Sequence, residues 1–181
     1  MNTAFVLSVN KSPSHTLVKK PCSSVEVMQG LGINGDAHAG KTVKHRYDVA
    51  KTPNKPNFRQ IHLIHFELYQ ELNRKGFMVS PGEMGENITT KNIDLLNLPK
   101  DTILKIGDHC VLQVTGLRHP CSQLNKLQKG LKQAVLDQDG NGEQILKAGV
   151  FALVLHGGIV MQSDTISIEL PQKPFVALQK V

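Results

Sequence analysis

Two runs of alternating residues flank a glycine–aspartate pair in the stretch Thr102-Ile103-Leu104-Lys105-Ile106-Gly107-Asp108-His109-Cys110-Val111-Leu112-Gln113-Val114-Thr115. Alternation with a period of two is typical of a strand with one buried face, and Gly-Asp between two such runs indicates a β-hairpin. In the second run, Cys110, Leu112 and Val114 share one face. The sequence therefore predicts a hairpin in which the Cys110 thiol points into the core and has a structural role.

Short strand candidates recur along the rest of the chain, whereas helical patterns are few. The further strands are predicted at residues 5–9, 25–29, 150–155, 159–161 and 165–170. Gly157-Gly158 is predicted to turn the chain between two of them. Apolar residues at helical spacing predict one helix within 61–72, starting near His65 and capped by Gly76, and another over 124–135. This pattern predicts a mostly β, barrel-like fold of short strands with two or three helical insertions.

Length and composition fit one compact domain over residues 1–181. Tryptophan is absent and aromatic residues make up 4%, so aliphatic side chains must fill the core. No run of 18 or more apolar residues is present, so no membrane-spanning helix is expected. The N-terminal residues lack the basic region of a secretory signal. Three cysteines without a C-x-x-C pair fit free thiols in a reducing cytoplasm.

The net charge of +6, from 21 basic and 15 acidic residues, can attract nucleic acid or a small anionic ligand. The lysines are spread thinly, no basic run is present, and aromatic side chains that could stack on bases are scarce. These features argue against a nucleic-acid partner. A non-catalytic module for nucleotides or nucleic acid remains an alternative, and it predicts salt-sensitive binding that does not depend on Cys121.

The candidate reactive residue follows the second strand of the hairpin, in Val114-Thr115-Gly116-Leu117-Arg118-His119-Pro120-Cys121. Arg118 and His119 lie just before the sulfur, and nearby positive charge favours the thiolate, the form that attacks electrophiles and binds soft metals. Ser122 is a residue type that caps helices, and a helix N-terminus there would add positive potential. Cys121 is therefore the candidate nucleophile or metal ligand. The other interpretation is a small, buried, apolar cysteine.

A second polar cluster is present in Gly35-Asp36-Ala37-His38-Ala39-Gly40. If this segment is extended, Asp36 and His38 point the same way, and the flanking glycines allow a ligand to approach the backbone. The alternative is a turn in which Asp36 bonds its own backbone. A zinc site would need a further ligand, and none of the histidines is at H-E-x-x-H spacing. The candidates are His45, His62 and His65.

Two further segments offer groups that recognise polar ligands. Arg59 precedes an apolar run, and a guanidinium held there suits bidentate binding of phosphate or carboxylate, although it could also be an ordinary surface arginine. Residues 85–90 include Glu86 and Asn87 beside two threonines. That mixture of donors and acceptors suits a polar heterocycle, and it equally suits a turn.

Several of these stretches, taken in chain order, share the pattern of one family. They are Gly32-Ile33-Asn34-Gly35-Asp36-Ala37-His38, Arg59-Gln60, Pro81-Gly82-Glu83-Met84-Gly85-Glu86-Asn87-Ile88-Thr89-Thr90 with Ile93-Asp94-Leu95, Ile106-Gly107-Asp108, Arg118-His119-Pro120-Cys121 and Gly149-Val150-Phe151-Ala152. Together they resemble the MOSC domain (molybdenum cofactor sulfurase C-terminal domain) in its stand-alone bacterial form. One departure is Ser163-Asp164, where the family usually has Gly-Asp.

The resemblance implies a β-rich, barrel-like fold with a bound pterin cofactor, the molybdenum cofactor. It implies that Cys121 is the catalytic residue, which either ligates the molybdenum or carries activated sulfur. The cofactor-binding residues that it implies are Lys20, Asp36, His38, Arg59, Glu86, Asn87 and Arg118. Lys20 is chosen over Lys11 and Lys19 as the lysine that relatives place near the N-terminus, and with Arg59 it would hold the anionic tail of the pterin.

Related proteins reduce N-hydroxylated compounds with electrons from a separate redox partner. We therefore expect a molybdenum-dependent oxidoreductase that acts on N-hydroxylated bases or related small molecules. Since the chain has no iron–sulfur or flavin motif, a separate redox partner protein must supply the electrons. The alternative within the same family is a sulfur carrier that holds a persulfide on Cys121 for metal–sulfur or cofactor assembly. Neither nucleic acid nor a membrane is expected as a partner.

Overall fold

The computed structural model describes residues 3–181, except for the side chains of residues 46–48. The strands in that range are β1 (Phe5–Lys11), β2 (Lys20–Cys22), β3 (Ser24–Met28), β4 (Gly32–Ile33), β5 (Ile61–His65), β6 (Ile88–Lys91), β7 (Ile103–Ile106), β8 (Cys110–Leu117), β9 (Leu136–Gln138), β10 (Gln144–Leu146), β11 (Val150–His156), β12 (Gly158–Met161) and β13 (Ile166–Glu169). The helices are α1 (Arg46–Lys51), α2 (Phe66–Arg74), α3 (Leu124–Leu127) and α4 (Leu131–Ala134), with a 3₁₀ turn at Leu95–Asn97.

Most strands belong to one large mixed sheet, in the order β13-β7-β8-β11-β5-β6-β1-β2. Its strands pair antiparallel, apart from β5 and β6, which run parallel. A second sheet has the order β12-β3-β4, and β9 and β10 form a separate pair. The predicted mostly β class is confirmed. Closure into a barrel is not found in the described part of the chain, because β13 and β2, the end strands of the large sheet, do not pair with each other. Between β1 and the residues before β13 there is an isolated bridge, Phe5 to Thr165, and not a continuous ladder.

The predicted hairpin is β7–β8. Leu104 lies opposite Leu112 and Ile106 opposite Cys110, so the register places the apolar residues of both strands on one face. Cys110 is 1% exposed. Burial, followed by the charge of Asp164, raises the pKa of its thiol to about 12. Cys110 is thus a core residue, as the alternation predicts.

The glycine pair at 157–158 does not turn a hairpin, so that prediction is wrong. β11 pairs with β5 and β8, whereas β12 pairs with β3 in the second sheet. Gly157 instead lets β3 approach closely, since a Cβ there would lie 2.5 Å from the Val27 carbonyl oxygen. Ser163, where the family usually has glycine, has a φ of 74°, a conformation that glycine adopts at little cost.

The helix predicted to start near His65 is confirmed. Residues 61–65 form β5, α2 begins at Phe66, and Gly76 follows its end with a φ of 88°. Leu68, Tyr69 and Leu72 recur at helical spacing and are the buried face of α2. α1 has no counterpart among the predicted elements.

The helix predicted over 124–135 is interrupted. Gly130 has a φ of 87°, which ends the helical path and separates α3 from α4. Gln123 occupies the N-cap position of α3, so Ser122 is not the cap. Because α3 has only four residues, it contributes little of the positive potential that was expected beside Cys121.

The core has two clusters of buried side chains. One lies on the sheets and is aliphatic apart from the Cys110 thiol, and the other surrounds α2 and includes Tyr69. The scarcity of aromatic residues is thus met by Val, Ile and Leu, as predicted. Within the described residues, no helix has the length and apolar character needed to cross a membrane.

Candidate functional site

A cavity of about 670 Å³ opens where the ends of several strands meet. Its walls come from β5, β11, the segments that precede β2 and β6, and the turn that follows β8. This volume lies within the range of small-molecule and cofactor sites. Five residues predicted from the sequence line it, namely His38, Arg59, Asn87, Arg118 and Cys121.

Cys121 is half-buried and lies in the wall of this cavity. β8 ends at Leu117, the Arg118 amide donates a hydrogen bond to the Gly149 carbonyl oxygen at 2.9 Å, and buried Pro120 stiffens the turn. The chain therefore presents this thiol to the cavity, in contrast to the Cys110 thiol. The interpretation of Cys121 as a sealed core cysteine is excluded.

A fixed positive charge lies beside this thiol. Arg118 donates from Nη1 to the Met84 carbonyl oxygen at 2.5 Å, and its guanidinium also interacts with Cys121. Burial lowers the pKa of Arg118, while the neighbouring Cys121 and Glu86 raise it. Because arginine does not lose its proton in proteins, the guanidinium stays charged and places a fixed positive charge beside the sulfur.

The Asp36 carboxylate lies just behind the cavity wall and accepts hydrogen bonds from several donors. Its Oδ2 accepts from Lys19 Nζ at 2.7 Å, and from the Ser12 amide and Asn87 Nδ2 at 3.2 Å each. Its Oδ1 accepts from the His38 amide at 3.0 Å and from His38 Nδ1 at 3.3 Å. Burial by itself raises the pKa of Asp36, but the His38 hydrogen bond and the Lys19 ammonium outweigh it, and the pKa lies well below its ordinary value.

The lysine at the cavity is Lys19, and the choice of Lys20 is corrected. The Lys19 side chain is 3% exposed and lines the cavity, whereas Lys20 is exposed on the edge strand β2. Lys19 is fixed because its amide donates to the Gly82 carbonyl oxygen at 2.9 Å. Gly82 permits this approach, since it has a φ of 88° and a Cβ there would lie 2.5 Å from the Lys19 carbonyl oxygen.

Asn87 joins three strands at the floor of the cavity. Its backbone N–H donates to the His62 carbonyl oxygen at 2.8 Å, and its Oδ1 accepts from the His62 amide at 3.1 Å. Its own carbonyl oxygen accepts from the Asn10 amide at 2.7 Å. The Asn87 side chain is therefore held by β1 and β5 while its Nδ2 supports Asp36.

Glu86 is fully buried and does not line the cavity, so its expected place in the pocket is also corrected. Its Oε1 accepts from the Tyr69 hydroxyl at 2.5 Å, from the Gly82 amide at 2.6 Å and from Thr89 Oγ1 at 2.8 Å. Burial, followed by the charge of Glu86, raises the pKa of Tyr69 well above its usual value. Glu86 thus fixes the loop that carries the Met84 carbonyl beside Arg118.

Sequence reasoning missed a row of imidazoles in the wall. The ring centroids of His15 and His38 are 5.0 Å apart, and those of His38 and His45 are 4.7 Å apart. His62, on β5, packs against Phe151 with 5.2 Å between ring centroids. The described residues contain no group of three or more His, Cys, Asp or Glu placed to hold a metal ion together.

The cavity is electropositive. The cations in its lining are Lys19, Arg59, Arg118 and Lys180, and the described lining contains no Asp or Glu side chain. The Arg59 guanidinium carbon lies 5.8 Å from the centroid of the Phe151 ring, within the range of a cation–π contact. A thiol among cations, with aromatic rings beside them, fits a flat anionic ligand that carries a soft metal.

The chain belongs to the MOSC domain family, whose model matches residues 50–167. The YuaD protein from Bacillus subtilis has a similar solved structure, with a TM-score of 0.77 and 23% sequence identity over 94% of this chain and 98% of that one. YiiM from Geobacillus stearothermophilus has a TM-score of 0.65 and 19% identity over 96% of this chain and 79% of that one. At these identities the likeness establishes the fold.

A protein named "Reductase" from Gibberella moniliformis (strain M3125 / FGSC 7600) is 34% identical over 90 residues. The match covers 48% of this chain and 15% of the relative. The chain thus spans a small part of that longer protein.

Proposed function

We propose that the protein binds molybdenum cofactor in the cavity through the Cys121 thiolate and reduces N-hydroxylated bases or related compounds. A separate redox partner protein supplies the electrons. The observation that supports this most is the half-buried Cys121 thiol beside the Arg118 guanidinium, in a cavity lined by cations. MOSC membership and the reductase relative are consistent with it.

The donor set fits the cofactor. Cys121 would hold the metal of the cofactor, because a thiolate is a soft metal ligand. Arg59 and Lys180 also lie in the lining and suit the anionic tail, and a guanidinium can bind phosphate through two hydrogen bonds. When bound, the cofactor supplies the two-electron chemistry that breaks an N–O bond.

The protein's own residues bind, orient and supply protons. The net reaction converts R–NH–OH, two electrons and two protons into R–NH₂ and water. The electrons come from the partner protein, and groups in the cavity wall deliver the protons. Arg118 places a positive charge beside Cys121, and the Phe151 and His62 rings are aromatic groups in the lining against which a heterocyclic base can pack.

The test is reduction of an N-hydroxylated purine by cofactor-loaded protein, with reduced viologen dye as the electron source. We expect the wild type to form the amine and Cys121→Ser to lose this activity. Cys22→Ser is the matched control, because Cys22 is a half-buried cysteine on β2 outside the cavity lining. Activity that survives in Cys121→Ser would reject the proposal.

The sulfur-carrier role is a second candidate, because the half-buried Cys121 thiol borders an open cavity that a persulfide donor can reach. Mass spectrometry separates the two. Transfer of one sulfur would add about 32 Da at Cys121, whereas the reductase keeps an unmodified thiol beside bound pterin.

A further inference from the structure

We infer that His38, oriented by Asp36, delivers protons to the cavity. His15 and His45, which form a histidine row with His38, resupply His38 with protons. This inference rests on the proposed function, because reduction of an N–O bond consumes two protons for each two electrons. It assigns the supply of protons, which the redox partner does not provide, to the His38 side chain.

The first support is the orientation of the His38 ring. Its Nδ1 lies 3.3 Å from Asp36 Oδ1, and a carboxylate oxygen only accepts, so Nδ1 carries the hydrogen. The other ring nitrogen, Nε2, is thereby left as the atom that takes up and releases a proton. The side chain is 20% exposed and lines the cavity. Asp36 is a positioning residue here, held in place by Lys19, Ser12 and Asn87.

The second support is the continuity of the row. His15 Nε2 lies 2.8 Å from the Lys44 carbonyl oxygen, to which it donates, so its Nδ1 remains for exchange. His45 Nε2 is buried and has no hydrogen-bond partner within the described residues, which marks it as a proton or water acceptor. With centroids about 5 Å apart, a ring rotation or one bridging water connects neighbouring nitrogens.

The third support is access. His15 lines the main cavity and also a second recess of about 460 Å³, whose walls include Thr42, Val43 and Pro53. His15 therefore connects two separate spaces. A proton taken up in the second recess can pass along the row to His38 without crossing the ligand in the main cavity.

The charges around the row set its working state. Burial lowers the pKa of His38, Asp36 raises it, and Lys19 and His15 lower it. Burial, followed by the charges of His38, Arg59, Arg118 and Lys19, lowers the pKa of His45 to about 3. His38 and His45 are consequently neutral near pH 7. Each of them therefore releases a proton soon after it gains one. Because the protonated form becomes rarer at higher pH, we expect turnover to fall as the pH rises.

The first experiment needs no metal. Histidine-selective ¹⁵N NMR of the cofactor-free protein should show His38 with its hydrogen on Nδ1. His15→Gln should raise the pKa of His38, because His15 lowers that pKa in the wild type, and Asp36→Asn should lower it, because Asp36 raises it. His109→Gln, at an exposed histidine outside the cavity lining, should leave it unchanged. A hydrogen on Nε2, or a titration of His38 indifferent to His15→Gln, would overturn the inference.

The second experiment measures turnover of cofactor-loaded protein against pH. His38→Gln should lower kcat by about 10²-fold or more, the usual contribution of general acid catalysis, while molybdenum content and KM change little. Added imidazole should restore part of the rate, and His109→Gln should match the wild type. A loss below about threefold would refute proton delivery by His38. If wild-type loaded protein reduces no N-hydroxylated compound, the proposed function fails, and the NMR result still decides whether the histidine row exchanges protons.

Discussion

Replacing Lys19 by methionine removes one charge of a buried ion pair and keeps the apolar stem. The Lys19 ammonium is 2.7 Å from Asp36 Oδ2, and the two side chains are 3% and 2% exposed. Breaking a buried pair costs about 3–5 kcal/mol, because the remaining charge loses its partner. Since neutral donors from Ser12, His38 and Asn87 still reach the carboxylate, we expect the lower end, about 3 kcal/mol.

The double variant Lys19→Met/Asp36→Asn should lose less than the two single variants together. Burial lowers the pKa of Lys19 even though Asp36 raises it, so the pair does not fully offset the cost of burying the ammonium. Removing both charges relieves that cost. We expect the double variant to be more stable than additivity predicts by about 2 kcal/mol, within the range of coupled neighbours.

The assay is urea denaturation at pH 7 with linear extrapolation of the free energy of unfolding. Lys105→Met is the matched control, because the Lys105–Glu169 pair has side chains that are 48% and 56% exposed. Its loss should stay below about 1 kcal/mol. Equal losses in Lys19→Met and Lys105→Met, or strict additivity in the double variant, would refute the reasoning.

Three further predictions concern the same region. Gly82→Ala should cost about 2 kcal/mol, measured by urea denaturation, because a left-handed backbone and a clash with the Lys19 carbonyl oxygen combine. Because the folded-state pKa of Asp36 is lowered, its contribution to stability is present above its unfolded pKa of about 4 and is lost as the pH falls below it, so unfolding free energies from pH 6 to 3 should fall less in Asp36→Asn than in the wild type. Iodoacetamide should label Cys121 in the native protein and spare Cys110, which is buried with a raised pKa, as read by peptide mass spectrometry.

Each of these predictions has a result that contradicts it. Gly30→Ala controls for backbone strain alone, since Gly30 has a φ of 69° and nothing within 4 Å of an added Cβ. An equal loss at both glycines would show that the contact at Gly82 is unimportant. If the free energy of unfolding fell equally with pH in the wild type and in Asp36→Asn, Asp36 would not contribute to the loss of stability in acid. Equal labelling rates at the two cysteines would contradict their different burial.

Local patterns predicted those parts of the fold that depend on nearest neighbours. The β7–β8 hairpin, the burial of Cys110 and the start of α2 follow from alternation, helical spacing and turn chemistry. The hairpin turn predicted at Gly157-Gly158 was wrong, because a glycine pair can occur either in a hairpin turn or where another strand approaches closely. Which of the two occurs depends on β3, about 130 positions earlier in the chain.

The candidate site was predicted in part. Cys121, Arg118, Arg59, His38 and Asn87 were brought together by the family resemblance, and all of them line the cavity. The sequence does not show which of the adjacent lysines, Lys19 or Lys20, faces the cavity. The hydrogen bond from the Lys19 amide to the Gly82 carbonyl oxygen fixes the chain so that Lys19 does. Asp36 and Glu86 bear charges typical of a pocket wall, yet they lie behind it, because the donors that satisfy them are buried backbone and side-chain groups.

The histidine row gave no local signal. His15 and His45 belong to segments without periodicity, and each contacts His38 only through the tertiary fold. The available signs were the count of eight histidines and the consideration of His45 as a possible zinc ligand together with the Asp36–His38 segment. Proximity in space, rather than spacing in sequence, therefore defines this feature.

The central claim is that the Cys121 sulfur binds molybdenum within the electropositive cavity. The most direct measurement is the molybdenum and pterin content of wild-type protein and Cys121→Ser, both purified from a host that makes the cofactor. We predict comparable molar amounts of metal and pterin in the wild type and a marked loss of molybdenum in the variant. Equal molybdenum in both proteins, or none in the wild type, would contradict the account.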